Sequence, residues 1–274
     1  MAELRPYELY ALRYATALRT QAEIFIGGDP HLSGVPMDYF VWLARNDEHT
    51  VVIDTGFDAE AAQRRGRELL RHPCEGLKLL GVDSRVVEHV IITHLHYDHA
   101  GNLGHFPQAR FHLQERELSF ATGRYMALPF YAHAYDLECV LAMVRLVYGA
   151  RVEFHDGDAQ IVPGISVHRL GGHTHGLQVV RVWTAVGWVV LASDATHYLA
   201  NMQSGRPFPI VANVMEMTAG WERMRGLASR PELIVPGHDP LVMQRYRAPA
   251  AALAGVAVRV DAMPEEDERG TPRR

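Results

Sequence analysis

Thr93-His94-Leu95-His96-Tyr97-Asp98-His99 is the stretch on which the reading of this chain turns. It follows the apolar run of VVEHVIITH (86–94), which reads as a buried strand entering a loop. Four ligand-type side chains occupy six positions. In extended backbone, alternate side chains share a face, so His94 and His96 can address one ion. A turn after His96 then swings Asp98 and His99 toward a second. Imidazole and carboxylate suit a borderline cation such as zinc. Ala100-Gly101-Asn102 permits tight packing where the next helix begins. A His-rich surface loop is the plain alternative, and it does not account for such density directly after a buried strand.

Outward from this stretch, short β-rich runs alternate with helical ones. FVWLAR (40–45) and TVVIDTG (50–56) read as a hairpin across the polar turn RNDEH. Residues 58–71 read as a helix and ARFHLQ (109–114) as a strand. Residues 115–150 are helix-permissive and rich in aromatics, a helical insertion rather than a second domain. RVEFHDG (151–157), GISVHRL (164–170) and QVVRVWTAVGWVVLASD (178–194) then supply strands, the last as a pair turning near Val186-Gly187. Residues 215–229 read as a helix, ELIVPGH (232–238) as a final strand, and LVMQRY to about Val258 as helical. This gives a single α+β domain over 1–262, two sheets with helices outside, and a disordered apolar-poor tail at 263–274.

The 274 residues are 48% hydrophobic and 22% charged, with net charge −5. That balance gives no pull toward nucleic acid or an anionic membrane. No apolar run is long enough for a spanning helix. MAELRPYELYALRYAT lacks a basic-then-apolar leader pattern, so a cytoplasmic protein is expected. Two cysteines, Cys74 and Cys139, make no disulfide framework.

THLHYDHAGN resembles the H-x-H-x-D-H signature of the metallo-β-lactamase superfamily. The resemblance implies an αββα sandwich with two metal ions at one edge of the sheets. It points to His173 in Gly171-Gly172-His173-Thr174, Asp194 in Ala192-Ser193-Asp194-Ala195, and His238 in Pro236-Gly237-His238-Asp239. It thereby covers about residues 37–240. By the same resemblance, His94, His96 and His173 hold one metal, Asp98, His99 and His238 the other, and Asp194 bridges both. Asp54 in VVIDTG would orient a ligand histidine. Zinc is the default cation, with iron, manganese and cobalt compatible.

Such a pair of cations activates a water for attack on a carbonyl and steadies the oxyanion. Asp98 would shuttle a proton. Within the superfamily the chain is most similar to the N-acyl-homoserine lactonase group, which implies a quorum-quenching lactonase acting on a small lactone or ester. A thioester hydrolase or another ester or amide hydrolase is the nearest rival, and a non-catalytic metal-stabilised binding protein is a remote one. A homodimer is left open. Members of that group place a tyrosine three residues after the bridging aspartate. Here His197 fills that slot and Tyr198 follows, so both are candidates to contact the substrate carbonyl. Met37, Tyr125, Met126, Phe130, Tyr131 and Phe208 are candidates for an apolar pocket wall or for core. His105, His112, His155, His168 and His175 lie outside the ligand pattern.

Overall fold

The computed structural model describes residues 4–265. Residues 266–274, most of the expected tail, lie outside that range. The strands are β1 (Glu8–Arg19), β2 (Val35–Arg45), β3 (Thr50–Ile53), β4 (Glu68–Leu69), β5 (His89–Ile91), β6 (Arg110–Gln114), β7 (Val152–His155), β8 (Ala159–Val162), β9 (Ile165–Arg169), β10 (Gln178–Thr184), β11 (Gly187–Ser193), β12 (Ile234–Pro236) and β13 (Ala257–Arg259). Eight form one sheet, in the order β13-β1-β2-β3-β5-β6-β7 with β4 also on β1. The other five form a second sheet, in the order β12-β11-β10-β9-β8.

Alternation along the strands builds the layers. Phe40 and Trp42 of β2 face Val180 and Val182 of β10 and Val189 and Leu191 of β11 across the space between the sheets. Their neighbours Val41 and Leu43 point the other way, into a core with Leu77, Phe57 and Met143. On the far side, Val179, Val190 and Ala192 pack beneath Met217, Trp221 and Met224 of helix Val214–Leu227. The period of two therefore produces helix, sheet, sheet, helix, each sheet buried on both faces. This is the expected αββα sandwich.

Most of the expected elements are present, and helices Pro73–Leu79 and Leu199–Ser204 are additional to them. Helix Ala59–Arg65 stops at Gly66, which caps it with φ 61°, and residues 68–69 pair with β1 instead of continuing the helix. After His238, only Leu241–Arg245 is an α-helix; residues 257–259 form β13 on the outer flank of β1. β1 and β8 are strands to which the sequence pattern had assigned no element. ELYALR carries good helix formers, yet Leu9 and Ala11 enter the inter-sheet core while Tyr10 and Leu12 enter the other. Burial on both faces overrides intrinsic propensity here.

The 115–150 segment is helical, with Glu115–Ala121, Pro129–Ala132 and Leu137–Tyr148 as α-helices. It leaves the first sheet at the end of β6 and returns at β7. Among the described residues, no helix is long and apolar enough to cross a membrane. Both cysteines are free and half-buried.

Trp42 is fully buried between the sheets, whereas Leu18 is 72% exposed. Urea unfolding should show Trp42→Ala losing about 3–5 kcal/mol and Leu18→Ala changing by less than about 0.5 kcal/mol. Similar small losses for both would place Trp42 outside the core.

Candidate metal centre

β3, β5 and β11 all end at one edge of the sandwich. Asp54, Thr93 and Ser193 occupy these exits, and the Thr93 hydroxyl joins them. It lies 2.8 Å from Asp54 Oδ2 and 2.8 Å from Ser193 Oγ. A carboxylate only accepts, so Thr93 donates to Asp54 and Ser193 donates to Thr93. Thr93 N–H also donates to Asp54 Oδ1 at 2.8 Å. Asp54 and Ser193 have φ of 61° and 45°, a left-handed backbone uncommon outside glycine. Strain at two buried strand exits persists because this network holds them there.

Hydrogen bonds on the outer ring nitrogens set which nitrogen faces inward. His173 Nδ1 donates to Ile210 O at 2.6 Å. His238 Nδ1 donates to Asp38 O at 2.8 Å. His99 Nδ1 donates to Asp54 Oδ2 at 2.7 Å. In each ring Nε2 is left for the centre. His94 Nδ1 is 3.2 Å from the Thr93 hydroxyl, whose own proton is already given to Asp54, so His94 Nε2 also faces inward as a bare acceptor.

These atoms converge. His173 Nε2 is 3.2 Å from His94 Nε2 and 2.9 Å from His96 Nδ1. Burial, together with the neighbouring imidazoles, holds His94 and His96 well below the usual imidazole range. Burial brings His173 down to about 4. Three neutral imidazoles therefore aim at one point, and the bare Nε2 lone pairs of His94 and His173, 3.2 Å apart, repel unless a cation lies between them.

Asp194 stands between two sets of donors. Its Oδ2 lies 3.3 Å from His173 Nε2 and 3.8 Å from His94 Nε2. Its Oδ1 lies 3.3 Å from His99 Nε2 and 3.1 Å from His238 Nε2. Asp98 Oδ2 is 3.7 Å from both of those nitrogens. Burial opposes charge on Asp194, but His238 and His99 outweigh it and hold the carboxyl well below its usual range. Burial likewise opposes charge on His99, and Asp194, Asp54 and Asp98 together raise it well above 6.5. His99 Nε2 and Asp194 Oδ1 are buried with no hydrogen-bond partner among the described residues. A buried carboxylate ringed by imidazoles, with orphaned atoms turned inward, fits a pair of divalent cations. His94, His96, His173 and Asp194 form one candidate ligand group, and Asp98, His99 and His238 a second.

All seven residues singled out as ligands thus meet at one edge. Asp54 reaches His99 as expected. His197 is beside them, its Nε2 3.0 Å from Asp194 Oδ2 and its ring stacked on Phe208 with centroids 3.5 Å apart. Tyr198 is placed differently: it precedes helix Leu199–Ser204 and its hydroxyl donates to Pro36 O at 2.9 Å. Met37 and Phe208 are buried, and Tyr125, Met126 and Tyr131 pack partly buried against the core, while Phe130 is 60% exposed.

Two supports had no signal in the pattern. One is the Thr93 node. The other is Glu117, fully buried in the helical segment, which accepts from Leu95 N–H at 2.9 Å, Tyr135 OH at 2.9 Å and Gly176 N–H at 3.1 Å, and from the Thr174 hydroxyl. It ties the His94–His99 loop to the His173 loop. Gly176 passes so close that a Cβ there would lie 2.2 Å from Glu117 N, which only glycine permits. Glu117 holds both loops as one carboxylate with four donors, a role no short motif announces. Asp54→Asn keeps the volume and tolerates the positive φ but gives up the anionic acceptor for His99. Metal titration should show affinity weakened by roughly 10–100-fold with stoichiometry retained at saturation. Unchanged affinity would remove Asp54 from the support of the centre.

Comparison with known proteins agrees with this geometry. The family model for the metallo-beta-lactamase superfamily matches residues 35–238. An N-acyl homoserine lactonase from a Bacillus species is 25% identical over 223 residues, covering 75% of this chain and 84% of that protein. A probable metallo-hydrolase of Mycobacterium tuberculosis is 25% identical over 259 residues, 80% of each chain. A solved quorum-quenching N-acyl homoserine lactone lactonase superposes with a TM-score of 0.74 at 22% identity, over 87% of this chain and 95% of that one, and shares the fold. With a match running from β2 through His238, the chain belongs to the metallo-beta-lactamase superfamily.

Proposed function

We propose that this metal-dependent hydrolase opens a lactone ring, with N-acyl homoserine lactones as the substrate class. The observation that carries the reading is Asp194, whose two oxygens each face a separate set of imidazoles. In this reading His94, His96 and His173 hold one divalent cation, Asp98, His99 and His238 hold the second, and Asp194 serves both. When bound, the cation pair supplies Lewis acidity for a carbonyl oxygen and a water that ionises near neutral pH. The relatedness to lactonases at about a quarter identity supports a lactone over other acyl substrates.

The protein's own groups divide the remaining work. Asp98 has Oδ2 near His99 and His238 and keeps Oδ1 to move a proton toward the departing ring oxygen. A neutral His197 donates through Nε2 to Asp194 Oδ2, so its single N–H holds the carboxylate in orientation rather than meeting a substrate oxyanion. The Tyr198 proton is committed to Pro36. With both candidate donors engaged, neither His197 nor Tyr198 has a proton free for the substrate carbonyl, whose polarisation would be left to bound cations. Tyr135 packs edge-on against His96, with centroids 4.5 Å apart, and brings the helical segment over that side of the centre. On that segment Leu128 and Phe130 are exposed and offer apolar surface for an acyl chain.

Metal-loaded protein should hydrolyse a panel of N-acyl homoserine lactones, with Asp194→Ala reducing kcat/KM by a factor on the order of a thousand or more. Turnover of thioesters or β-lactams with none of any lactone would overturn the substrate class. Phe130→Ala should raise KM for long-chain lactones several-fold while leaving short-chain KM and kcat little changed. Equal effects on both chain lengths would remove Phe130 from the acyl site.

A further inference from the structure

Three histidines outside the centre meet on the first sheet. His89, His112 and His155 lie on the neighbouring parallel strands β5, β6 and β7. Register sets Ile91 opposite His112, His112 opposite Glu153, and Gln114 opposite His155. His112 Nε2 is 3.0 Å from His89 Nδ1, and His112 Nδ1 is 3.2 Å from His155 Nε2. The His112 and His155 rings are 8° from parallel with centroids 5.4 Å apart, so they meet nitrogen to nitrogen rather than face to face. Glu153 Oε2 lies 4.0 Å from His112 Nδ1, and its side chain is half exposed.

We infer that His112 Nδ1, His155 Nε2 and the Glu153 carboxylate form a third cation site, for a borderline divalent ion of the zinc class, separate from the dinuclear centre. All three ligand atoms lie within 4.8 Å of one another, so a small inward shift of the side chains brings them to the roughly 2.0–2.2 Å bonds such an ion makes. Two imidazoles and a carboxylate are a donor set this class of ion prefers, and the exposed side of Glu153 leaves room for water to complete it. His112 has a second contact on its other nitrogen: with Nε2–H donating to His89 Nδ1, 3.0 Å away, Nδ1 is the bare acceptor a cation requires. Burial, with His155 and His89 adding to it, brings His112 down to about 3, which favours the neutral ring that a metal ligand needs.

The position gives the site a consequence. β7 is the edge strand of the sheet, and the chain leaves β6 at Gln114 to make the helical segment before returning at Val152. A cation shared by β6 and β7 clamps the base of the segment that carries Glu117 and Tyr135. Without a cation, the contact between His155 Nε2 and His112 Nδ1 is one rung of a plain hydrogen-bonded ladder. The two states differ in whether the ladder takes up metal.

The test uses the full chain with its dinuclear centre already loaded and free metal dialysed away. Zn2+ alone is then titrated by calorimetry. One further equivalent should bind, weakened by roughly tenfold or more in His155→Ala and in Glu153→Gln. Saturating Zn2+ should raise Tm by on the order of 5 °C in the starting protein and not in His155→Ala. Absence of the extra equivalent, or equal affinity in His155→Ala, would overturn the site. Because the readout is a difference between variants, it stands or falls apart from the stoichiometry of the main centre and from any lactone turnover.

Discussion

A carboxylate buried among imidazoles is the constraint on which the rest of this structure depends. Asp194 is 3% exposed and has His94, His99, His173 and His238 within 3.8 Å. An ion so enclosed is expensive unless opposite charge compensates it. The arrangement makes sense as the anionic half of a site whose other half is metal. The sandwich exists to bring this group and its partners together from distant parts of the chain. His94 comes from the first sheet, Asp194 from the second, His173 from the loop before β10, and His238 from the residues after β12.

Precision at that edge comes from groups that touch no candidate metal position. Thr93 links Asp54, Ser193 and the His94–His99 loop through one hydroxyl. Glu117 performs the matching role on the other side, holding the backbone of Leu95 and Gly176 and the side chains of Thr174 and Tyr135. Burial pushes the Glu117 carboxyl up, and its four donors work against that shift. The helical segment is therefore part of the site's frame as well as a cover. Asp38 and Ile210 contribute only carbonyl oxygens, and these fix the tautomers of His238 and His173.

Much of this was legible in the chain because its signals are local. Four ligand-type residues directly after an apolar strand define the centre, and the strands around Val186-Gly187 declare themselves by β-branched runs and a turn glycine. His173, Asp194 and His238 came from a family resemblance, since nothing in their separate loops tells where they meet. β1 escaped notice because its alanines, leucines and arginines suit a helix, and only a sheet already present on both sides makes it a strand. Thr93 and Glu117 were silent because a buried hydroxyl or carboxylate is defined by the donors that fold around it. His197 and Tyr198 were legible as neighbours of Asp194, yet which proton each gives, and to whom, is decided by Asp194 and Pro36. His112 and His155 look unremarkable 43 positions apart, and parallel register alone makes them neighbours.

Whether two cations share Asp194 can be read from anomalous diffraction by crystals of zinc-loaded protein. Two strong peaks are expected roughly 3.5–4 Å apart, one among His94, His96 and His173 and one among Asp98, His99 and His238, with the Asp194 carboxylate between them. A single peak, or two peaks too far apart for one carboxylate to reach both, would contradict that sharing.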